Sequence, residues 1–187
     1  TSGVVSVAQY ASLKHPGTAN PDDSVSITDG ALLAVVTVTD GDGDTATSST
    51  GIGDAVQFQD DGPTAAIVQG TATVAHDETA GVQADADDTT AAAVVALFAG
   101  VANKSSDLSP SGYAQDATPV VSSTGSSFGA DQEGGTTAFS LAVSAAGVDS
   151  GLDTTNGTSI LLFKEGDLVV GRIGSAAGAA AFAVAIN

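Results

Sequence analysis

Asp40-Gly41-Asp42-Gly43-Asp44 sets the tightest limit on what this chain can fold into. Five consecutive turn-formers admit neither helix nor strand. They lie between Val35–Thr39 and Thr45–Ser49, runs of β-branched and small residues that suit strands. The chain is therefore expected to reverse within these residues. Glycines at 41 and 43 permit positive φ, so the backbone can curl and bring the carboxylates of Asp40, Asp42 and Asp44 together. Crowded carboxylates repel one another, and a hard cation with oxygen ligands, calcium (Ca2+) above all, relieves that repulsion. The alternative is a solvated acidic tip in which the glycines serve only the turn. An EF-hand loop does not fit, because its twelfth position falls near Ile52 rather than on a glutamate and no flanking helices follow.

The surrounding residues favour a β setting. Val4–Tyr10 reads as a strand, followed by a turn over Ser12–Gly17 and a loop over Asn20–Asp23. Ser24–Thr28 is a short strand, Asp29-Gly30 a hairpin signal, and Ala31–Thr39 the strand that feeds the aspartate turn. Thr45–Thr50 and Ala55–Gln59 follow, the latter stopped by Asp60-Asp61-Gly62-Pro63. Short strands with turn signals at intervals of about 8–12 residues are the pattern of a β-sandwich.

Beyond Pro63 an extended segment runs to Val74. One short helix is expected near residues 90–100, with Asp85, Asp87 and Asp88 as favourable charge at its start and Gly100 as its stop. Residues 103–138 read as a long loop with short extended pieces. Phe139, Leu141 and Val143 alternate as a strand, and Ile160–Phe163 with Leu168–Ile173 form a hairpin about Lys164-Glu165-Gly166-Asp167. Phe182, Val184 and Ile186 alternate as a last strand. The expected fold class is all-β, an antiparallel sandwich with that single helix.

Charge narrows the function classes. Against 22 acidic residues stand only 4 lysines and arginines, a formal net charge of -18. Nucleic-acid binding needs a basic footprint, and anionic membranes would repel this surface. Only Glu78, Glu133 and Glu165 are glutamates; aspartate, the residue of turns and metal loops, makes up the rest. Cysteine is absent, so a secreted β-domain of this kind would need another staple, which calcium supplies. No signal peptide or membrane-spanning run is visible, and the chain begins without Met, as a slice of a longer one would.

Asp60-Asp61 and Asp77-Glu78 are further candidates for calcium, as acid pairs that stiffen a junction between β-domains. The alternative is that they serve local turns. His15 and His76 read as surface or turn residues, and without cysteine a zinc site is not expected. No nucleophile–base arrangement is signalled. Carboxylate pairs for glycoside hydrolysis lack a sugar platform, with no Trp and only Tyr10 and Tyr113. An enzyme is not expected.

Joined head to tail, Phe182–Ile186, an Asn187-Thr1-Ser2-Gly3 turn and Val4–Tyr10 would read as one hairpin. A tandem array cut at an arbitrary phase gives such ends, and so do two unrelated β-like termini. On the first reading residues 1–63 close one repeat period and residues 64–187 open the next. The two halves would complete one sandwich or form two small β-domains, and copies could exchange strands.

Several stretches taken together resemble the tandem repeats of giant type I-secreted RTX adhesins, bacterial biofilm proteins. They are Val5–Tyr10 with Leu13-Lys14-His15-Pro16, Val36–Thr47, Phe58–Pro63, Asp77-Glu78-Thr79, Ser126–Asp131 and Leu162–Arg172. They span nearly the whole chain in the order of one repeat period. The resemblance implies an extracellular, cell-surface extender unit, Ig-like in architecture and calcium-bound, flanked by adjacent repeats of the same chain. The family's Gly-Gly-x-Gly-x-Asp nonapeptides are absent, so no β-roll is expected. A second reading is a calcium-dependent module whose 103–138 loops recognise a glycan or peptide.

Overall fold

The computed structural model describes residues 3–17, 20, 22–79 and 85–187. Its largest sheet has four strands in the order β10-β9-β8-β7: β7 is Val148–Asp153, β8 Ser159–Glu165, β9 Leu168–Ile173 and β10 Ala180–Val184. All neighbours are antiparallel, with β8 and β9 running in unbroken register from Ile160 opposite Ile173 to Glu165 opposite Leu168. β9 is the most buried strand, and Val170 has no exposed surface. Val169, Ile160 and Ala180 join it in the core. These are β-branched or small side chains, as a low-volume core requires. At Gly171 an added Cβ would lie 2.6 Å from the Phe182 ring and 2.9 Å from Ile160 Cγ2. Gly171→Ala is therefore expected to cost about 1–2 kcal/mol, within the usual range for overpacking and eased by the half-buried Phe182. A urea melt that coincides with the parent's would contradict this.

The chain divides into two units, residues 1–67 with 123–136 and residues 68–122 with 137–187. Besides the four-stranded sheet, the second unit holds a minimal ribbon of β5 (Val68–Gln69) with β6 (Val121–Ser122), and the helix α1 (Ala92–Leu97). The first unit pairs β1 (Ser24–Ser26) with β4 (Gln57–Gln59), and β2 (Leu33–Thr39) with β3 (Thr45–Gly51), both antiparallel. A 3-10 turn over Gly53–Ala55 precedes β4. Residues 123–136 join this unit through Thr64 paired with Ser127 and through Ser126 Oγ, which accepts from Ala66 N and donates to Ala66 O, both at 2.9 Å. The fold class is all-β and antiparallel, with one short α-helix among the described residues, as the sequence implied.

Individual elements differ from expectation. Val4–Tyr10 forms no strand, because a strand needs a partner and none of the described residues pairs with it. Phe139–Val143 is likewise outside any ladder. β7 was not anticipated; its polar sequence is rescued by pairing with β8 across an irregularity between Asp149 and Asp153, where Gly151 adopts φ 77. The helix is six residues long and has no side-chain cap. Asp87 and Asp88 do not serve its start: Asp87 Oδ2 accepts from Ala75 N at 2.8 Å, and Asp88 Oδ1 lies 3.0 Å from His76 Nδ1. The expected Asn187-Thr1-Ser2-Gly3 turn includes Thr1 and Ser2, which lie outside the described residues, as does Pro21 of the Asn20–Asp23 loop. No helix among the described residues is long and apolar enough to cross a membrane.

Candidate metal centre

The β2–β3 hairpin carries its acids at the tip. The strands run in full register from Leu33 opposite Gly51 to Thr39 opposite Thr45, and every residue of both is exposed. Asp40 N donates to Asp44 O at 2.9 Å and closes the reversal. Asp40 Oδ1 accepts from Gly43 N at 3.1 Å and from Asp44 N at 2.8 Å, so one carboxylate oxygen organises the turn from within. Gly43 takes φ 102, the left-handed conformation that a side chain would resist, whereas Gly41 does not have positive φ.

One ligand atom from each of Asp40, Asp42 and Asp44 lies within 4.8 Å of the others. Two oxygens on opposite sides of a calcium ion stand about 4.6–5.2 Å apart, twice the usual metal–oxygen distance, so the spacing fits one ion. Among the described residues no other group of three or more His, Asp or Glu side chains is gathered this closely. The Asp42 carboxyl, in hydrogen-bond contact with Asp40, holds the Asp40 carboxyl below its usual range, helped by the backbone N–H groups of Asp44, Asp42 and Gly43. Such a contact needs a shared proton. Ionised carboxylates gathered this closely repel one another, and a cation between them would offset that repulsion.

The other expected ligands are placed differently. Asp60 Oδ1 accepts from Asp61 N at 2.9 Å, and Asp60 N donates to Asp23 O at 2.9 Å. Asp60, Asp61 and Asp131 line an open groove of about 480 Å³ in the first unit, together with Tyr10 and His15. Asp77 and Glu78 belong to the second unit. Asp77 Oδ1 accepts from Thr79 Oγ1 at 2.7 Å and Thr79 N at 2.8 Å, an Asx turn that lowers the Asp77 pKa, first through the hydroxyl. Glu78 is exposed. Neither pair joins a close group of three.

Three ion pairs escaped the sequence reading. His15 is not a surface residue: its side chain is 5% exposed, with Nδ1 3.2 Å from Asp23 Oδ1 at ion-pair distance but off hydrogen-bond geometry. His76 faces Asp88, whose side chain is 1% exposed. In the second unit Arg172 forks onto Glu165, Nε to Oε1 at 2.5 Å and Nη2 to Oε2 at 2.7 Å, while Nη1 donates to Gly178 O and Ala102 O. Nothing in the sequence marks the histidine partners. For the arginine a signal existed, since Glu165 and Arg172 flank a hairpin turn and are two of few charges in a β-rich run.

A family model described as a domain of unknown function, DUF5801, matches residues 1–53 and 73–187. No curated protein and no solved structure matches the chain.

Proposed function

The chain belongs to the DUF5801 family, and from that premise we propose that it is a structural extender repeat of a calcium-dependent bacterial cell-surface adhesin. The observation that carries this reading is the gathering of Asp40, Asp42 and Asp44 at the tip of a wholly exposed hairpin, with spacing suited to one calcium ion. The resemblance of Val36–Thr47 and the other quoted stretches to adhesin extender repeats supports it further. In this role the acidic surface keeps neighbouring repeats apart and the array extended. Exposed carboxylates with water completing the coordination shell suit the weak binding of extracellular modules, about 10⁻⁴ to 10⁻³ M. Millimolar external calcium fills such a site, and cytosolic calcium leaves it empty.

The test is mechanical. In single-molecule pulling of a tandem of three copies, calcium is expected to raise the unfolding force above that in chelator. Superimposable force distributions would overturn the proposal.

The groove lined by Tyr10, Asp60, Asp61 and Asp131 favours a second reading, recognition of a glycan through calcium and one aromatic ring. Specific glycan-array signals abolished by Asp131→Ala would support it over the extender role.

A further inference from the structure

We propose that the exposed β2–β3 hairpin is completed by the Val4–Tyr10 segment of a second copy of this chain, added antiparallel to the free edge of β3. A two-stranded ribbon with both edges and both faces in water is marginal at best, and a third strand giving it an apolar face is what stabilises it. Here Leu33, Val35, Val36 and Val38 are each more than half exposed. No described residue pairs with the outer edge of either strand. Such an edge is a template for another chain.

The chain carries a segment of the required kind. Val4–Tyr10 is β-rich and wholly exposed, lies outside every ladder, and bears no charge in a molecule of net charge -18. Its root is held, because His15, five residues past Tyr10, is buried against Asp23. The lengths match: β3 spans seven residues, Thr45–Gly51, and so does the segment. Laid antiparallel in full register, Val4 meets Gly51 and Tyr10 meets Thr45. Residues directly opposite share a face. Because Val36 is opposite Ser48 and Val38 opposite Ala46, this register sets Val5 and Val7 on the same face as Val36 and Val38.

Charge points to the same orientation. Four residues past Tyr10, Lys14 would run beyond Thr45 and alongside the Asp40–Asp44 turn. Lys14 is exposed and makes no ion pair among the described residues. Calcium on the turn would leave one of the three negative charges uncompensated, and Lys14 would offset it. This ionic clause rests on the calcium reading above; the strand pairing does not. A seven-residue strand covers less than the roughly 1,200–2,000 Å² of a stable free interface. Isolated copies therefore associate weakly, and tandem linkage, with an effective concentration of about millimolar, makes the pairing persistent.

The absence of cysteine makes a clean test available. A full chain carrying Ser6→Cys is mixed with one carrying Ser49→Cys under mild oxidation, since the proposed register puts these residues opposite each other. Heterodimeric disulfide is expected to form roughly tenfold faster than between Ser6→Cys and Ser48→Cys, whose side chains leave opposite faces. Adding Ala8→Pro, which removes the N–H that would face Thr47 on the outer edge of β3 and lies outside any existing element, should abolish the difference. Equal rates for the two pairings would overturn the proposal. So would a chain carrying both Ser6→Cys and Ser49→Cys that closes on itself as a monomer, because the segment would then belong to its own hairpin. Running each arm in calcium and in chelator separates the two readings: selective cross-linking in chelator supports the pairing whatever becomes of the ion.

Discussion

Arg172→Ala is expected to lower the stability of the second unit by about 3 kcal/mol. The guanidinium is 7% exposed and makes four hydrogen bonds, two to Glu165 and one each to Gly178 O and Ala102 O. Its removal leaves a carboxylate and two carbonyls without their donor. The loss falls toward the low end of the range for a broken buried pair because the Glu165 side chain is 36% exposed and partly solvated. Arg172→Lys should recover only part of it, since an ammonium cannot fork onto both oxygens while also reaching the carbonyls. The pH dependence has a definite sign. Hydrogen bonding from Arg172 holds Glu165 below its ordinary value of 4.5, so the unfolded chain binds the proton first. The stability from this pair is complete above that value and is lost as pH falls through the lower folded one. Melts between pH 6 and acid should show a slope in the parent that Arg172→Ala weakens. Equal acid sensitivity in both proteins would remove the pair from the account.

On the proposed calcium reading, ion binding is expected to give the second large effect. With extracellular-type affinity, excess calcium at about 10 mM should raise the midpoint of the first unit by roughly 5–15 °C over chelator. The gain should shrink on acidification, because calcium binds carboxylates only in their ionised form and protons compete with it for the same oxygens. Magnesium at the same concentration should give much less, because it demands octahedral geometry and sheds water reluctantly. Coincident melts in calcium and chelator would leave the hairpin tip an ordinary solvated turn.

How far the sequence reveals this molecule depends on the range of the interactions involved. The aspartate turn was legible because its determinants are local: Asp40 Oδ1 accepts from N–H groups three and four residues on, and Gly43 supplies the one left-handed conformation. The β8–β9 hairpin was legible for the same reason. β7 was not, since Val148–Asp153 becomes a strand through its partner and not through its own propensity. Val4–Tyr10 shows the converse, strand composition with no partner among the described residues. The helix came out short because Asp87 and Asp88, which suit its start on paper, are tied to Ala75 and His76 twelve residues back. Within the candidate site, composition drew attention to Asp40, Asp42 and Asp44, and the turn gathers their side chains at one tip. It had no means of showing that Asp60 Oδ1 and Asp77 Oδ1 accept local hydrogen bonds, or that the two pairs fall in different units.

Calcium titration by calorimetry, comparing the parent with a chain in which Asp40, Asp42 and Asp44 are all replaced by asparagine, tests the metal centre directly. One site with affinity of about 10⁻⁴ to 10⁻³ M should be present in the parent and missing from the variant. Identical heats in the two proteins, or none in the parent at these concentrations, would contradict it.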